Sequence, residues 1–524
     1  MAKYKWHLWG FCFLVILSVV LRYPLWNKLN YADLHWWSAD VLNFSGSWFE
    51  EGYSYLRGVL YNQPATVEFA DTLGRSAFYT FNFAFILPVF WISKLMNEFP
   101  NIQMINGFSF LLHVSFAYLA GMLAYNFIKD SKENLRRMAF LMTAFATLFC
   151  TQVFLFYSVT YWSDLLVMPL ICGIFLIDQY IHVKDKSLKL LYWQQLIVFL
   201  ACLADPYGII FSCTLAAYYL VKKDFKRSAY LGVPILIALM IDVNYVSKIG
   251  NWALIKGQVL SELGVTLTPD LTLGSFFSGI FVKHLGFYAL GFLLSFGIAE
   301  ALHRRKLFLS KNLILLFVPP ILYAFVFANK SLSSSFSALK FYLPVFVCFF
   351  GILPAFLFLQ SSEMPKKKKR EKTLFASLSF LPVVLVATVF AFSYPQLLSE
   401  NVKDLDMVKR LQWIREITRP EQVIFSNQIA LNYYPPQGMY YLRKPIWRFG
   451  GATGLKTWKF VFKEAVDYPL LWLEKKSVNS ADCIRLYREN AAQDVASYED
   501  IDAYLFPSVS AFLSIPADKI EKCL

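Results

Sequence analysis

Apolar runs of about 20 residues recur along the chain, and they constrain its fold more than any other feature of the sequence. Each run is long enough to cross roughly 30 Å of hydrocarbon as an α-helix. Inside a membrane the backbone must be satisfied by helices or closed barrels, and these runs lack the alternation of barrel strands. Because 57% of the 524 residues are hydrophobic and only 16% are charged, we predict a polytopic α-helical membrane protein.

The formal net charge of +14 could suggest a nucleic-acid partner, but its placement argues against one. From Tyr394 onward the chain has 17 Lys/Arg and 16 Asp/Glu, so this region is close to neutral. The excess lies in short loops between apolar runs, where it is the signature of membrane orientation. We therefore expect the lipid bilayer, and no nucleic acid, as a partner.

About eleven transmembrane helices are predicted. The first ends near Trp26, and no small-residue cleavage site follows it, so we interpret it as a retained helix rather than a signal peptide. The other ten cover about 103–127, 138–156, 165–182, 191–204, 208–221, 229–246, 284–302, 312–328, 339–360 and 374–393.

Five basic clusters orient these helices, because each falls in an alternate loop and can be cytoplasmic. They are Lys129–Arg137, Lys184–Lys189, Lys222–Arg227, Arg304–Lys311 and Lys366–Arg370. This holds only if the apolar stretch 80–96 does not cross, so we predict that it lies in the outer interface. The membrane domain is then 1–393 with a long first outer loop at 27–102, and residues 394–524 form an extracytoplasmic domain.

The first outer loop contains several residues that could build a site, namely Asp33, His35, Asp40, Arg57 and Arg75. Asp33 lies just before a predicted helix at 36–51, which would run along the membrane surface and end at Gly52. Long loops of this kind often carry function, although any one of these acids could equally be a solvated loop residue.

Two more acids lie at predicted outer turns. Asp164 is the only charged residue of the second outer loop, 157–164, where it could cap the next helix or take part in a site. Asp205 precedes Pro206 between two spans, a combination that also suits an ordinary turn.

Lys330 and Lys340 lie at the outer boundary, where lysine opposes the orientation rule. They could extend to the interface for anchoring, or they could meet an anion such as a lipid phosphate. Asp178 and Asp242 lie in or near spans, and no role was predicted for them. The sequence shows no metal-ligand cluster, glycine-rich phosphate loop or nucleophile elbow.

The predicted topology resembles that of the GT-C superfamily of membrane glycosyltransferases. The shared features are an acid soon after the first span, interfacial helices in the first outer loop, and an acid in the second. The stretch Tyr161-Trp162-Ser163-Asp164 is similar to the second-loop acidic motif of oligosaccharyltransferase catalytic subunits, but with one acid instead of two. In the first loop, Phe81-Asn82-Phe83 replaces the Pro-Pro common in the superfamily. The resemblance covers about 1–393.

This resemblance implies a sugar transfer from a polyprenyl-(pyro)phosphate-linked donor to a glycan, lipid or protein acceptor on the extracytoplasmic face. Asp33, or alternatively Asp40, would be the general base. The predicted phosphate-binding residues are Arg57, Arg75, Lys330 and Lys340. His35 and Asp205 would complete the substrate site, and Asp164 would orient substrate or bind a divalent ion. Because few acids are paired, we expect a site without a metal or another cofactor.

Two other classes of protein fit the same topology. A transporter or flippase would need ionisable groups near the membrane midplane, often on internal repeats. A lipid-linked glycan ligase or polymerase usually has its large loop later in the chain.

The compact loops favour a bacterial inner membrane, which would place the C-terminal domain in the periplasm or outside the cell.

The region from Tyr394 onward is predicted to be a small α/β domain, with a helix at 402–417 and a strand at 422–425. Six of the eight cysteines fall in predicted spans. Only Cys483 and Cys523 remain, and an oxidising compartment would favour a disulfide between them.

Overall fold

The fold is described from a computed structural model. The structure describes residues 6–26, 33–61, 83–128, 133–183, 188–249, 278, 288–304, 310–327, 338–363, 369–402, 405–419, 422–427, 442, 446–449, 469–475, 481–489, 493–498 and 501–515. Contacts between Cα atoms divide the chain into two compact units. The first comprises 1–26, 79–85 and 105–398, and the second comprises 27–78, 86–104 and 399–524.

Helices occupy all eleven ranges that the apolar runs predict. In chain order they are α1 (Trp6–Arg22), α4 (Ile102–Phe127), α5 (Glu133–Phe149) with α6 (Thr151–Val159), α7 (Ser163–Val183), α8 (Leu188–Ala204), α9 (Pro206–Val221), α10 (Phe225–Ile249), α11 (Tyr288–Arg304), α12 (Ser310–Val326), α13 (Leu339–Pro344) with α14 (Leu353–Glu363), and α15 (Lys369–Val402). Among the described residues, six helices are long and apolar enough to cross a membrane, or seven if α5 and α6 form one span. The chain is therefore a multi-pass integral membrane protein, and the count of eleven crossings stays a prediction.

Two of these spans are irregular. The α5–α6 pair bends by 60° at Cys150, whose backbone is extended. The segment between α13 and α14 is a π-helix, Val345–Ile352, and π-helical turns are frequent at functional sites. Thr143 of α5 donates a hydrogen bond to the carbonyl of Phe346 in this π-helix at 3.3 Å.

The described part of the predicted first outer loop contains two short helices, α2 (Asp33–Ser47) and α3 (Leu87–Met96). The helix α2 begins at Asp33 itself rather than after it, and it continues as a π-helix, Trp48–Gly52, in which Gly52 has a φ of +98°. With the preceding 3-10 turn, the α3 segment spans 84–96, about 20 Å, which is too short to cross 30 Å of hydrocarbon. The indole N–H of Trp48 donates to the Val59 carbonyl at 3.0 Å, and this bond ties the end of α2 to the following turn.

The described part of the C-terminal region contains a five-stranded mixed sheet in the order β2-β1-β3-β5-β4. Its strands are β1 (Val423–Asn427), β2 (Ile446–Phe449), β3 (Leu470–Lys475), β4 (Gln493–Tyr498) and β5 (Ile501–Phe506). β1 pairs in parallel with β2 and β3, and β5 pairs antiparallel with β3 and β4. The expected strand at 422–425 is β1, and the expected helix at 402–417 is α16 (Leu405–Ile417).

Alternation along β3 gives this sheet two apolar faces. Leu471 and Leu473 join a core with Leu411 and Ile414 of α16. Trp472 points to the other face, where α17 (Ala481–Glu489) and α18 (Val509–Leu513) contribute apolar side chains. Cys483 on α17 is disulfide-bonded, and the six other described cysteines are free. The predicted partner, Cys523, lies outside the described residues.

Candidate functional site

The structure brings together three residues that the sequence singled out separately: Asp164, Asp205 and Lys340. The Lys340 ammonium forms an ion pair with the Oδ1 atom of Asp164 and lies 3.9 Å from the Oδ1 atom of Asp205. We call this group the outer acid–lysine cluster, after the side of the membrane on which the topology prediction places it. It lies in the first compact unit and joins the start of α7, the turn before α9 and the start of α13.

Both acids of the cluster lie at the start of a helix, and this sets their positions. Asp164 is the second residue of α7. Asp205 is the N-cap of α9, where its Oδ1 accepts a hydrogen bond from the Tyr207 backbone N–H at 2.9 Å. The Ser163 hydroxyl donates to the other oxygen, Oδ2, at 2.7 Å. Asp205 thus lies in the turn before α9, as the ordinary-turn interpretation held. It also caps that helix and belongs to the cluster.

Close helix contact brings Asp205 to this position. A Cβ atom added to Gly208, three residues later on α9, would lie 2.1 Å from the carbonyl oxygen of Ala201 on α8. Only glycine allows the two backbones to approach this closely. The turn between α8 and α9, with Asp205 at its tip, therefore depends on Gly208.

All three charged residues of the cluster are buried: Lys340 and Asp205 are 0% exposed and Asp164 is 2% exposed. The Lys340 ammonium lies 4.0 Å from the centre of the Tyr323 ring and 5.8 Å from that of Tyr207. Burial of an ion pair costs several kcal/mol per ion unless partners compensate. Here the carboxylates, the Ser163 hydroxyl and the aromatic faces supply that compensation.

The donor set of the cluster fits an ammonium better than a metal ion. Hard divalent cations take six or more oxygen ligands, whereas here two carboxylates share one lysine. In the part of the chain that the structure describes, no group of three or more His, Cys, Asp or Glu could hold a metal. The alternative that Asp164 binds a divalent ion, and the expectation of a site without a metal, both stay predictions.

The predicted second outer loop, 157–164, also contacts segments that do not belong to the cluster. The Tyr161 hydroxyl donates to the Phe85 carbonyl at 2.6 Å, and the rings of Phe85 and Trp162 lie 4.6 Å apart. The Ser109 hydroxyl of α4 donates to the Thr160 carbonyl at 3.0 Å. The residues just before Asp164 are thus tied to neighbouring segments of the same unit.

The overall fold is similar to that of solved membrane glycosyltransferases. ArnT from Cupriavidus metallidurans, bound to undecaprenyl phosphate, matches with a TM-score of 0.58 at 14% identity, over 95% of this chain and 98% of ArnT. The archaeal oligosaccharyltransferase AglB from Archaeoglobus fulgidus, in complex with an inhibitory peptide and a dolichol-phosphate, matches with a TM-score of 0.56 at 11% identity, over 98% of this chain and 77% of AglB. Both are GT-C glycosyltransferases.

This chain has the GT-C fold. The resemblance that the sequence suggested is therefore confirmed at the level of the fold. The structural match extends beyond the predicted range of 1–393, since it covers 95% of the chain for ArnT. No family model matches the sequence, and no curated protein matches it.

In this GT-C fold the first-loop residues are placed as follows. Asp33 is the first residue of α2 and His35 lies in its first turn, although their side chains lie outside the description. Asp40 is buried within α2, and this burial raises the pKa of its carboxyl well above the ordinary value of 3.8. Arg57 is exposed in a turn, with a φ of +52°. Arg75 and Lys330 lie outside the described residues.

Lys340 has a different partner from the expected one. We predicted an anion for this lysine, with a lipid phosphate as the example, and the anion in the structure is the Asp164 carboxylate. The sequence did not predict this pairing, nor the aromatic rings of Tyr207 and Tyr323 around it. These rings lie near Lys340 because of the way α9 and α12 are oriented toward α13. A local sequence pattern does not predict how one helix is oriented toward another.

A second buried ion pair lies near the other end of α7. Lys311 at the start of α12 lies 2.5 Å from Oδ2 of Asp178, and the Tyr219 hydroxyl donates to Oδ1 of the same carboxylate at 2.6 Å. Asp178 follows Asp164 by 14 positions, or about 21 Å along an α-helix. No role is predicted for Asp178 from the sequence, and its contacts fit a structural tie between α7, α9 and α12.

Proposed function

We propose that this protein is a glycosyltransferase that moves a sugar from a polyprenyl-(pyro)phosphate-linked donor to an acceptor on the extracytoplasmic face. The observation that carries the proposal is the outer acid–lysine cluster within a GT-C fold. A buried charged cluster at one end of a helical bundle is costly to maintain, and such clusters are typical of functional sites. The lipid phosphates named for the ArnT and AglB structures support a polyprenyl phosphate as the leaving group.

In the proposed reaction the bond between the sugar C1 and the phosphate oxygen breaks, and a bond from C1 to an acceptor oxygen forms. The acceptor proton passes to a first-loop carboxylate, and the polyprenyl (pyro)phosphate leaves with the bonding electrons. Asp33 suits this base role better than Asp40. Asp40 is only 5% exposed within α2, so an acceptor hydroxyl has little access to it, and it is kept as the alternative base.

The acid–lysine cluster has a different role in this proposal. Lys340 holds the Asp164 and Asp205 carboxylates in place, and these carboxylates orient the substrate. The donor phosphate is left to the other predicted cations, of which Arg57 is exposed, together with Arg75, Lys330 and the polar His35. We further propose a bacterial inner membrane, with the described C-terminal sheet on the outer side.

The test uses the full-length protein in vesicles that contain undecaprenyl-phosphate-linked sugars, with release of undecaprenyl phosphate as the readout. Asp33→Asn and Asp164→Asn should each reduce the rate by on the order of 10²-fold or more. Glu98→Gln is the matched control, because Glu98 is an exposed acid of the same loop. Passage of the intact lipid-linked sugar across the bilayer without phosphate release would favour the flippase, and products of increasing length would favour the polymerase.

A further inference from the structure

Arg22 is a buried cation that the site described above does not use. It is the last residue of α1 and is 2% exposed. Its hydrogen bonds go to Ser18, Ser158 and His113, and the described residues place no carboxylate within ion-pair distance of it. Burial of a charged guanidinium costs free energy, so a buried arginine in the first unit requires a structural or functional explanation.

Two contacts of Arg22 are made with one helix, α6. Its Nε atom donates to the Ser158 hydroxyl at 2.8 Å, and its guanidinium lies 4.2 Å from the centre of the Phe154 ring. Both partners belong to α6. This helix is the second half of the bent α5–α6 pair. Because the helix is broken at Cys150, α5 alone does not determine the direction of α6.

His113 of α4 contacts both Arg22 and α6. Its Nε2 atom lies 2.8 Å from the Thr147 carbonyl, which can only accept, so Nε2 carries the proton and Nδ1 accepts from Arg22. The imidazole also stacks on the Tyr157 ring of α6, with the ring centres 4.4 Å apart and the planes 6° apart. Arg22 and His113 together therefore contact three side chains of α6.

α6 leads directly to the outer acid–lysine cluster. Only residues 160–162 separate it from α7, whose second residue is Asp164. The Tyr157 hydroxyl also donates to the carbonyl of Leu165, the residue after Asp164, at 3.0 Å. A shift of α6 would therefore move Asp164 relative to Lys340.

We propose that Arg22 is a positioning residue: by holding α6 against α1 and α4, it sets the place of Asp164 in the outer acid–lysine cluster. The catalytic part of this inference rests on the proposed transferase function, whereas the structural part does not. Small misplacements of this kind can reduce a catalytic rate by on the order of 10²-fold.

The structural part is tested by the reactivity of a buried thiol. Ser163→Cys places a cysteine beside Asp164 at a position that is 4% exposed, and a membrane-impermeant maleimide is added from outside. We expect slow labelling in this background, labelling at least about tenfold faster when Arg22→Gln is added, and slow labelling again with Arg22→Lys. Lys311→Met is the matched control, since it breaks a buried ion pair near the other end of α7.

Two labelling results would overturn the inference. In the first, Arg22→Gln leaves the labelling rate unchanged. In the second, Lys311→Met accelerates it as much as Arg22→Gln does, which would indicate general loosening of the bundle.

The catalytic part is tested on the undecaprenyl-phosphate-linked sugar that the unaltered protein uses. Arg22→Gln should lower kcat by on the order of tenfold or more and change KM for the donor by no more than about threefold, and Arg22→Lys should restore much of kcat. A raised KM with unchanged kcat would instead make Arg22 a donor-binding residue and refute the positioning role. If the unaltered protein transfers no sugar, the proposed function fails, and the labelling rates still decide whether Arg22 holds α6.

Discussion

Replacement of Lys340 by methionine tests the outer acid–lysine cluster most directly. Methionine keeps the apolar length of the side chain but removes the ammonium, so two carboxylates remain buried without their shared counter-ion. Removal of one partner from a buried ion pair typically costs about 3–5 kcal/mol. Because Lys340 is 0% exposed, solvent screening should not reduce this value, and we expect Lys340→Met to destabilise the protein by about 3–5 kcal/mol.

The origin of this loss can be isolated with a double-mutant cycle. Asp164→Asn removes one charge, while Lys340 keeps Asp205 at 3.9 Å, so this single change should cost less, about 1–3 kcal/mol. The double variant leaves one buried carboxylate, Asp205, which retains its hydrogen bonds from Ser163 and Tyr207. Its loss should therefore be smaller than the sum of the two single losses, by about 0.5–3 kcal/mol.

The measurement is the free energy of unfolding in mixed micelles, followed by tryptophan fluorescence. Lys222→Met is the control, because Lys222 is exposed at the end of α9 and its change should stay within about 0.5 kcal/mol. The reasoning is refuted if Lys340→Met costs less than about 1 kcal/mol, or if the double variant loses the full sum of the single losses.

Four further predictions concern other parts of the chain. Cysteines placed within Lys366–Arg370 should react with an impermeant thiol reagent only from the cytoplasmic side; labelling from outside would refute the predicted topology. Burial raises the pKa of the Asp40 carboxyl, so the folded protein favours its protonated form. The stability that this form contributes is fully present below the unfolded pKa of about 3.9, and it is lost as the pH rises through the folded pKa. Asp40→Asn should therefore raise the thermal midpoint at pH 7 and lose that advantage near pH 4, and a constant difference would contradict this. Gly208→Ala should force α8 and α9 apart and destabilise the protein by about 1–3 kcal/mol, whereas a neutral change in thermal unfolding would argue against the close approach. Reduction of the disulfide at Cys483, with Cys523 as the predicted partner, should cost about 3–4 kcal/mol for a loop of about 40 residues; complete alkylation without reductant would show that no bridge forms.

The sequence alone predicted the membrane class and the positions of the helices. Each apolar run encodes its own helix, because in lipid a helix satisfies its backbone hydrogen bonds without help from other segments. The stretch 80–96 was likewise distinguished by the placement of basic residues in the neighbouring loops, and its described helix is short. The boundaries were less precise where local signals compete: Asp33 lies inside α2 and not before it, since an acid in the first turn of a helix is as favourable as one at the cap.

Only the tertiary structure decided which charges meet. Asp164 and Lys340 are 176 positions apart, and their pairing depends on how α7 and α13 rotate and approach each other, which neither helix encodes alone. The same holds for the 60° bend at Cys150 and for the contacts that Arg22 makes with α6. Lysine and aspartate look the same in a sequence whether they face water, lipid or each other, and it is burial beside a particular partner that gives them a role.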